Sequence, residues 1–214
     1  MERSRLAELL RPFLAGAEAS PGLLDQLQVY LDLLLRWNTR VNLTAVRDPE
    51  QIVTRHFGES LFAGKVLAQR SAVEHANTLA DVGSGAGFPG LPIKLLMPEL
   101  MLTLIESQNK KATFLREVVR ELALEGVTEF RGRAEEWNGT ADIVTLRAVE
   151  QFERALPVAA GLVSGCGSLC LLIGEAQLPQ ARQLLPSAWT WADPVAVPNS
   201  ASRIVAIAKR AGAG

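Results

Sequence analysis

The stretch LADVGSGAGFPG joins a short apolar run to a glycine-rich turn, and two ligand-binding patterns overlap in it. Gly85-x-Gly87-x-x-Gly90 matches the fingerprint of loops that bind the pyrophosphate of a dinucleotide. Asp81-x-Gly83-x-Gly85-x-Gly87 is equally typical of loops that bind S-adenosylmethionine (SAM). Glycines let the backbone approach a ligand closely, and the start of the following helix offers free N–H groups. The loop alone predicts a nucleotide-like cofactor and leaves its identity open.

An acidic residue, Glu106, ends the next strand-like run. Its carboxylate is placed to accept hydrogen bonds from ribose hydroxyls, which indicates a cofactor that contains adenosine. Asp81, directly before the glycines, would face the cationic methionine portion of SAM but would repel a pyrophosphate. Pro89 removes one N–H group that a pyrophosphate would need, and Gly90 is then explained by close packing of helix on sheet. Together these residues favour SAM.

From residue 77 onward strand-like runs alternate with helical segments, which predicts a mainly parallel sheet with crossover helices. The last two runs, WTWADPVAV and RIVAIAKR, are separated only by PNSAS, so we expect them to pair antiparallel. This is the doubly wound, Rossmann-like α/β sheet of class I SAM-dependent methyltransferases. Ala134 and Glu135 follow the third strand, where methyltransferases bring polar groups to the adenine. The predicted strands are 78–83, 102–107, 127–132, 141–148, 168–174 and 203–210, and the predicted helices are 90–97, 108–125, 150–163 and 176–185.

The first third of the chain has a different pattern. Ser20-Pro21 is typical of a helix start, and leucines then recur at helical spacing until Trp37-Asn38. Residues 49–75 predict one or two further helices. We therefore expect a helical extension over residues 1–76 and a methyltransferase domain over residues 77–214, together forming one compact unit.

The absence of certain residue types reduces the number of possible acceptors of the methyl group. Methylation at pyrimidine C5 needs a thiolate, and neither cysteine lies directly after the fourth strand, where that nucleophile is expected. Methylation of exocyclic base nitrogens typically uses an Asp/Asn-Pro-Pro-aromatic stretch after the fourth strand, where this chain reads LRAVEQF. Methylation of the ribose 2′-hydroxyl usually needs lysines, and no lysine occurs between Lys111 and Lys209. Guanine N7 remains attractive because its lone pair carries no proton, so no general base is required. Arg147 ends the fourth strand and is the best candidate to position the substrate, with a structural ion pair as the alternative.

Composition sets limits on the partners. A net charge of −1 differs from the strong positive excess of many nucleic-acid binders, so any basic surface is local. Lys110, Lys111 and Arg116 form one such local cluster and are the candidates for contact with RNA phosphates. No run approaches the roughly 18 apolar residues of a membrane span. Cys166 and Cys170 lie in an apolar stretch, and we expect both to be buried free thiols in a reducing cytoplasm.

Several motifs together resemble one known family. They are WNTRVNLTA (37–45), Arg55-His56, DVGSGAGFPGLP (81–92) and the segment Lys110-Lys111-x-x-Phe114-Leu115-Arg116. Over nearly the whole chain the sequence is similar to the glucose-inhibited division protein B family. These proteins are the bacterial guanine-N7 methyltransferases of small-subunit (16S) ribosomal RNA.

The resemblance implies that SAM is bound through Gly83 and Phe88, through Ala134-Glu135 and through Arg147. It implies, as substrate, a guanine in the decoding region of 16S rRNA, in the free RNA or in the 30S subunit or its assembly intermediates. Asn42, Arg55 and His56 fall on the family's N-terminal motifs and are expected to line or brace the active site.

One departure concerns the residues after Arg55-His56, where the family usually carries Asp-Ser and this chain carries Glu59-Ser60. We further expect a cytoplasmic monomer without a metal ion. Two alternatives stay open at this stage. One is a methyltransferase that acts on a small molecule or a protein, and the other is a nicotinamide-dependent oxidoreductase.

Overall fold

An eight-stranded sheet forms the centre of the structure, a computed structural model that describes residues 1–69, 76–149, 151–185 and 187–211. The strand order is β3-β2-β1-β4-β5-β8-β6, and the short β7 also pairs with β8. The strands are β1 (Thr78–Val82), β2 (Met101–Ile105), β3 (Val127–Phe130), β4 (Ala141–Arg147), β5 (Val163–Gly174), β6 (Trp189–Trp191), β7 (Val195–Ala196) and β8 (Arg203–Arg210).

The first five strands are parallel and β8 is antiparallel to β5, which confirms the predicted fold class. The order reverses between β1 and β4, so the carboxyl ends of these strands border the crevice where open α/β sheets bind ligands. WTWADPVAV forms two short strands instead of one, β6 and β7, and both pair antiparallel with β8. Pro194 lies between them and has no N–H group for a ladder hydrogen bond, which accounts for the interruption.

Helices cover both faces of the sheet. Apolar side chains of α7 and α8 pack on one face, whereas α1, α2, α4, α5 and α6 share a second apolar cluster with the other face. The helices are α1 (Arg3–Leu10), α2 (Pro21–Asn38), α3 (Pro49–Ile52), α4 (Glu59–Ala68), α5 (Gly90–Leu96), α6 (Asn109–Glu121), α7 (Phe152–Gly161) and α8 (Leu178–Leu184). None of the helices in the described ranges is long and apolar enough to cross a membrane.

The helix α2 begins and ends where the sequence predicts. The hydroxyl of Ser20 accepts a hydrogen bond from the backbone N–H of Leu23, and Pro21 occupies the first turn. The leucines of its apolar stripe are buried in the same cluster as sheet residues such as Leu79 and Leu104. The N-terminal helices therefore pack directly on the sheet, while a domain boundary at residue 76 stays a prediction.

Between α3 and α4 the backbone forms a π-helical turn over Val53–Gly58. The turn has no signature in the periodicity, which predicted ordinary helices over 49–75, and residues 70–75 lie outside the described ranges. Such turns are frequent at functional sites. This one carries Arg55 and His56 and places Glu59 at the start of α4.

The prediction that both cysteines are buried is right for Cys170 and wrong for Cys166. Cys170 is buried in β5, but Cys166 is exposed. The pairing of β5 with β4 jumps from Val163 to Ser168, and β8 pairs with β5 only from Ser168 onward. The segment that carries Cys166 therefore lies outside both ladders, which exposes an apolar-looking stretch to solvent.

Candidate active site

The glycine loop lies between the end of β1 and the start of α5. Gly83 and Gly85 have φ angles of +68° and +59°, which residues with a side chain rarely adopt. A Cβ atom built on Gly85 would have no neighbour closer than 3.7 Å, so bare backbone borders open space there. That open backbone surface fits a cofactor that approaches the main chain closely.

Two buried carboxylates, those of Glu106 and Asp81, accept hydrogen bonds from backbone N–H groups of this loop. Glu106 accepts hydrogen bonds from the backbone N–H groups of Gly85 (2.9 Å) and Gln108 (2.7 Å). Asp81 accepts one from the N–H of Gly90 (3.1 Å) and one from the hydroxyl of Thr145 (2.7 Å). The bonds to Gly85 and Gly90 satisfy N–H groups of the loop, so both acids fix its conformation.

Asp81 has no exposed surface, and burial raises the pKa of its carboxyl to about 6 while the bonds from Thr145 and Gly90 act in the opposite direction. A Cβ on Gly90 would lie 2.8 Å from this carboxylate, so α5 approaches β1 as closely as a glycine permits. This close packing agrees with the interpretation of Gly90 given above. Direct contact of Asp81 with the methionine portion of SAM, and of Glu106 with the ribose, remain predictions.

Phe88 anchors the loop to the N-terminal helices. Its ring stacks on Tyr30 (centroids 5.5 Å apart) and on His56 (5.0 Å), and it meets Phe57 edge to face (5.2 Å). The buried hydroxyl of Tyr30 donates a hydrogen bond to the backbone carbonyl of Ala86. The N-terminal helices thus contribute to the shape of the cofactor loop, a role that sequence reasoning missed for Tyr30.

The other predicted cofactor and RNA residues lie on neighbouring elements. Ala134 and Glu135 form a short 3-10 turn after β3, with Glu135 exposed. Lys110 is exposed in the first turn of α6, directly after β2. Lys111 follows it and is half-buried, whereas the exposed Arg116 makes an ion pair with Glu129 of β3 (3.1 Å).

A cleft of about 350 Å³ opens beyond the carboxyl ends of β4 and β5. It lies beside the glycine loop, because Arg147 lines it and is 6.0 Å from the Phe88 ring. Its walls come from β4, β5, β8, the π-helical turn and the segment that follows α2. The polar lining residues are Thr44, Arg55, His56, Glu59, Arg147, Gln177 and Arg203, and the apolar ones include Leu146, Val149, Phe152, Leu172 and Val197.

Glu59 is the central acid of this cleft. Its carboxylate accepts hydrogen bonds from Arg147 (3.0 Å) and from Arg203. The side chains of Arg147 and Glu59 are only 8% and 6% exposed, so this ion pair is shielded from water. Burial lowers the pKa of Arg147, and Glu59 opposes that effect. The structural ion pair, given above as the alternative for Arg147, is therefore present, and the same guanidinium lines the cleft.

His56 is held as a neutral imidazole. Nη2 of Arg147 donates to the backbone carbonyl of Arg55 and lies 3.2 Å from Nδ1 of His56, while Nε2 lies 2.7 Å from the hydroxyl of Thr44. Burial, followed by the charge of Arg147, lowers the pKa of His56 to about 3. Both ring nitrogens are thus engaged, and the ring stays uncharged at neutral pH.

The structure brings three of the four predicted substrate residues into the cleft: Arg55, His56 and Arg147. The fourth, Asn42, is exposed and does not line the cleft, and its side-chain oxygen accepts a hydrogen bond from Arg47 (3.0 Å). Sequence reasoning missed Thr44, Glu59 and Arg203 as lining residues. Thr44 stands inside the quoted WNTRVNLTA motif, and Glu59 follows Arg55 by one helical turn, so both had a signal. Arg203 had none.

Comparisons with known proteins show the family of this chain. The sequence model of the family described as "rRNA small subunit methyltransferase G" (GidB) matches residues 23–195. The chain belongs to this family. A relative named "Ribosomal RNA small subunit methyltransferase G" from Halorhodospira halophila is 42% identical over 165 residues, which cover 74% of this chain and 76% of that protein. A protein of the same name from an Exiguobacterium species is 41% identical over 169 residues, covering 74% and 68%.

Solved structures share the fold at low sequence identity. Magnesium protoporphyrin IX methyltransferase from Synechocystis superposes with a TM-score of 0.61 at 14% identity, covering 85% of this chain and 97% of that one. The ribosomal protein L11 methylase from Lactobacillus delbrueckii gives a TM-score of 0.58 at 16% identity, covering 72% and 79%. These matches show a class I methyltransferase fold and carry no information on the acceptor.

Proposed function

We propose that this protein transfers a methyl group from SAM to N7 of a guanine in the decoding region of 16S rRNA. Family membership supports methylation of small-subunit rRNA over the two alternatives left open above. The cleft beyond β4 and β5 is the place for the acceptor base, and the glycine loop is the place for the cofactor. The rRNA target and a cytoplasmic monomer are parts of the same proposal.

One observation favours N7: among the described residues that line it, the cleft offers hydrogen-bond donors and no available general base. Among the lining residues, the carboxylate of Glu59 is bonded to two arginines, and both nitrogens of His56 are occupied. An exocyclic amine or a ribose hydroxyl must lose a proton when it is methylated, whereas N7 presents a free lone pair. The residues therefore need only to position the base and exclude water.

The residues around the loop are compatible with SAM, which supplies an electrophilic methyl group on a sulfonium when bound. We expect the open backbone of Gly83 and Gly85 and the ring of Phe88 to contact it on one side. On the other side we expect Glu106, the Ala134–Glu135 turn and Arg147. The exposed guanidinium of Arg55, which has no ion pair among the described residues, is free to meet RNA phosphate or the base edge.

The test is methylation of 30S subunits, and separately of protein-free 16S rRNA, with methyl-labelled SAM. We expect the label in 7-methylguanine after nucleoside digestion, at one position in the decoding region. Arg55→Gln should lower the rate of methyl transfer with little change in SAM affinity. Arg11→Gln, which changes an exposed arginine outside the lining of the cleft, is the matched control. Label in another nucleoside, or transfer that survives removal of all RNA, would contradict the proposal.

A further inference from the structure

Only one oxygen of the Glu59 carboxylate is used by the arginines that surround it. Nη2 of Arg147 donates to Oε2 (3.0 Å), and Nη1 of Arg203 donates to the same oxygen. In the part of the chain that the structure describes, no donor lies within hydrogen-bond distance of the other oxygen, Oε1. The carboxylate therefore keeps one acceptor that the described protein groups leave unused.

This second oxygen, Oε1, faces the cleft. The Glu59 side chain is only 6% exposed. Among the described residues, the buried side-chain atoms that lack a partner are Oε1 of Gln28 and Oγ of Ser168, so Oε1 of Glu59 is reached by solvent. Because Glu59 lines the cleft, solvent reaches this oxygen from there. A charged oxygen in such a place binds best a ligand that donates a hydrogen bond to it.

The walls of the cleft suit the flat faces of a nucleobase. Leu146, Val149 and Phe152 are apolar, and Glu59 is the only acid among the described lining residues. Proteins commonly pack apolar side chains against an unstacked base and read its Watson–Crick edge by hydrogen bonds. On that edge guanine carries a proton at N1, whereas adenine has a lone pair at N1. An acceptor that meets this edge therefore favours guanine and disfavours adenine.

We propose that Oε1 of Glu59 accepts a hydrogen bond from N1–H of the target guanine, which makes Glu59 a specificity-determining residue of this site. Adenine would instead place the lone pair of its N1 against a negatively charged oxygen. Accepting the bond requires no proton transfer, so it is compatible with methylation at N7 without a general base. The inference rests on the proposed function, since it assigns the group that selects guanine as the acceptor.

The first test changes only the RNA, so its result does not depend on the folding of any variant. Wild-type protein is assayed on 30S subunits whose ligated 16S rRNA carries guanine or 1-deazaguanine at the methylated position. 1-Deazaguanine keeps O6, the amino group and N7, but it has a C–H group in place of N1–H. We expect kcat/KM to be about 10-fold lower on 1-deazaguanine, because the charged acceptor loses its donor. Values that are equal within about threefold would overturn the inference.

The second test uses Glu59→Gln to replace the acceptor by a donor. The two guanidinium groups at Oε2 can only donate, so the oxygen of the new amide must face them and its NH2 group must face the cleft. That NH2 group suits 2-aminopurine, which has a lone pair at N1, better than guanine. The ratio of kcat/KM on guanine to kcat/KM on 2-aminopurine should therefore fall at least about 10-fold from its wild-type value.

The matched control is Glu50→Gln, which changes a carboxylate bonded to Arg5 outside the lining of the cleft and should leave the ratio within about threefold of wild type. Because the ratio is taken within each protein, a loss of stability or of SAM affinity in Glu59→Gln cancels. A purely structural role of Glu59 would lower kcat/KM on both bases by the same factor, and that result would overturn the inference. Absence of 7-methylguanine with the wild-type protein on ordinary subunits would instead overturn the proposed function, and the inference with it.

Discussion

The cofactor loop and the acceptor cleft are adjacent, yet they are held together over very different sequence distances. In the loop, Glu106 bonds to Gly85 across 21 residues, and Asp81 bonds to Gly90 across only 9. In the cleft, Glu59 bonds to Arg147 across 88 residues and to Arg203 across 144. The loop is therefore a local motif, and the cleft exists only when the N-terminal helices are docked on the sheet.

The two regions also use charge in different ways. Glu106 accepts from two backbone N–H groups, and Asp81 accepts from one N–H group and one hydroxyl. Neither carboxylate has an ion pair in the part of the chain that the structure describes. The Glu59 carboxylate is instead shared by two guanidinium groups. Substitutions in the loop should act through backbone geometry and desolvation, and those in the cleft through an uncompensated buried charge.

The largest effect is expected for Gly87→Val in the loop. Gly87 has a φ of +89°, and a Cβ there would overlap the hydroxyl of Tyr30 and the side chain of Leu91. Backbone strain and overpacking together should lower the free energy of unfolding by about 4 kcal/mol and abolish SAM binding. Urea unfolding and SAM titration measure both effects. Gly22→Ala is the control, since a Cβ at Gly22 meets nothing within 4 Å and should change stability by less than about 1 kcal/mol.

Next in size is Glu59→Gln in the cleft. It leaves Arg147 buried without its counter-charge and should lower the free energy of unfolding by about 3–4 kcal/mol. Glu59→Asp, which keeps the negative charge on a shorter side chain, should recover part of this loss. Glu121→Gln removes an exposed partner of Arg120 and should cost less than about 0.5 kcal/mol. Equal losses for Glu59→Gln and Glu121→Gln would show that burial of the pair has no energetic consequence.

The variant Asp81→Asn tests how the buried carboxyl of Asp81 makes the free energy of unfolding depend on pH. The pKa of Asp81 is raised to about 6 in the folded protein, above its ordinary value of 3.8. Between pH 4 and 6 the unfolded chain loses this proton first, so the wild type loses stability as the pH rises. The stability of Asp81→Asn relative to wild type should therefore increase by about 2 kcal/mol from pH 4 to pH 7. A difference that does not vary with pH would contradict the raised pKa.

The variant Asp81→Asn also distinguishes two possible roles of Asp81, which are to stabilise the loop or to contact SAM directly. If the carboxylate only braces the loop, the Kd of Asp81→Asn for SAM should stay within about threefold of wild type, because asparagine retains an acceptor for the Gly90 N–H. A loss of SAM affinity of tenfold or more at pH 7 would instead support direct interaction with the cationic methionine portion. Isothermal titration at pH 7 distinguishes the two.

The smallest effect is expected outside both regions, at Lys110. Lys110→Gln should weaken RNA binding about threefold at moderate salt and reduce the slope of log K against log salt by about 1, if Lys110 neutralises a phosphate. Arg116→Gln is the matched comparison and should change the slope less, because Glu129 already neutralises Arg116. Filter binding to 16S rRNA over a series of salt concentrations measures both slopes. Equal slopes for Lys110→Gln and wild type would remove Lys110 from the RNA surface.

Patterns that are local in sequence were predictable. Alternating strand and helix signals, the cap at Ser20 and the glycine loop depend on neighbouring residues, and the structure places them as predicted. The length of β5 and the exposure of Cys166 were not predictable from the sequence. They depend on which residues of β4 and β8 lie beside β5 and pair with it. The π-helical turn likewise has no signature in an apolar periodicity.

The sheet, the likeness to a methyltransferase and the position of the cofactor loop follow from the sequence alone, because apolar periodicity, turn residues and short motifs encode them. The ion pair between Arg147 and Glu59 and the neutral state of His56 arise only in the folded protein. The physical reason is that pKa values and hydrogen-bond directions depend on neighbours and burial, and these neighbours meet only when distant segments pack together.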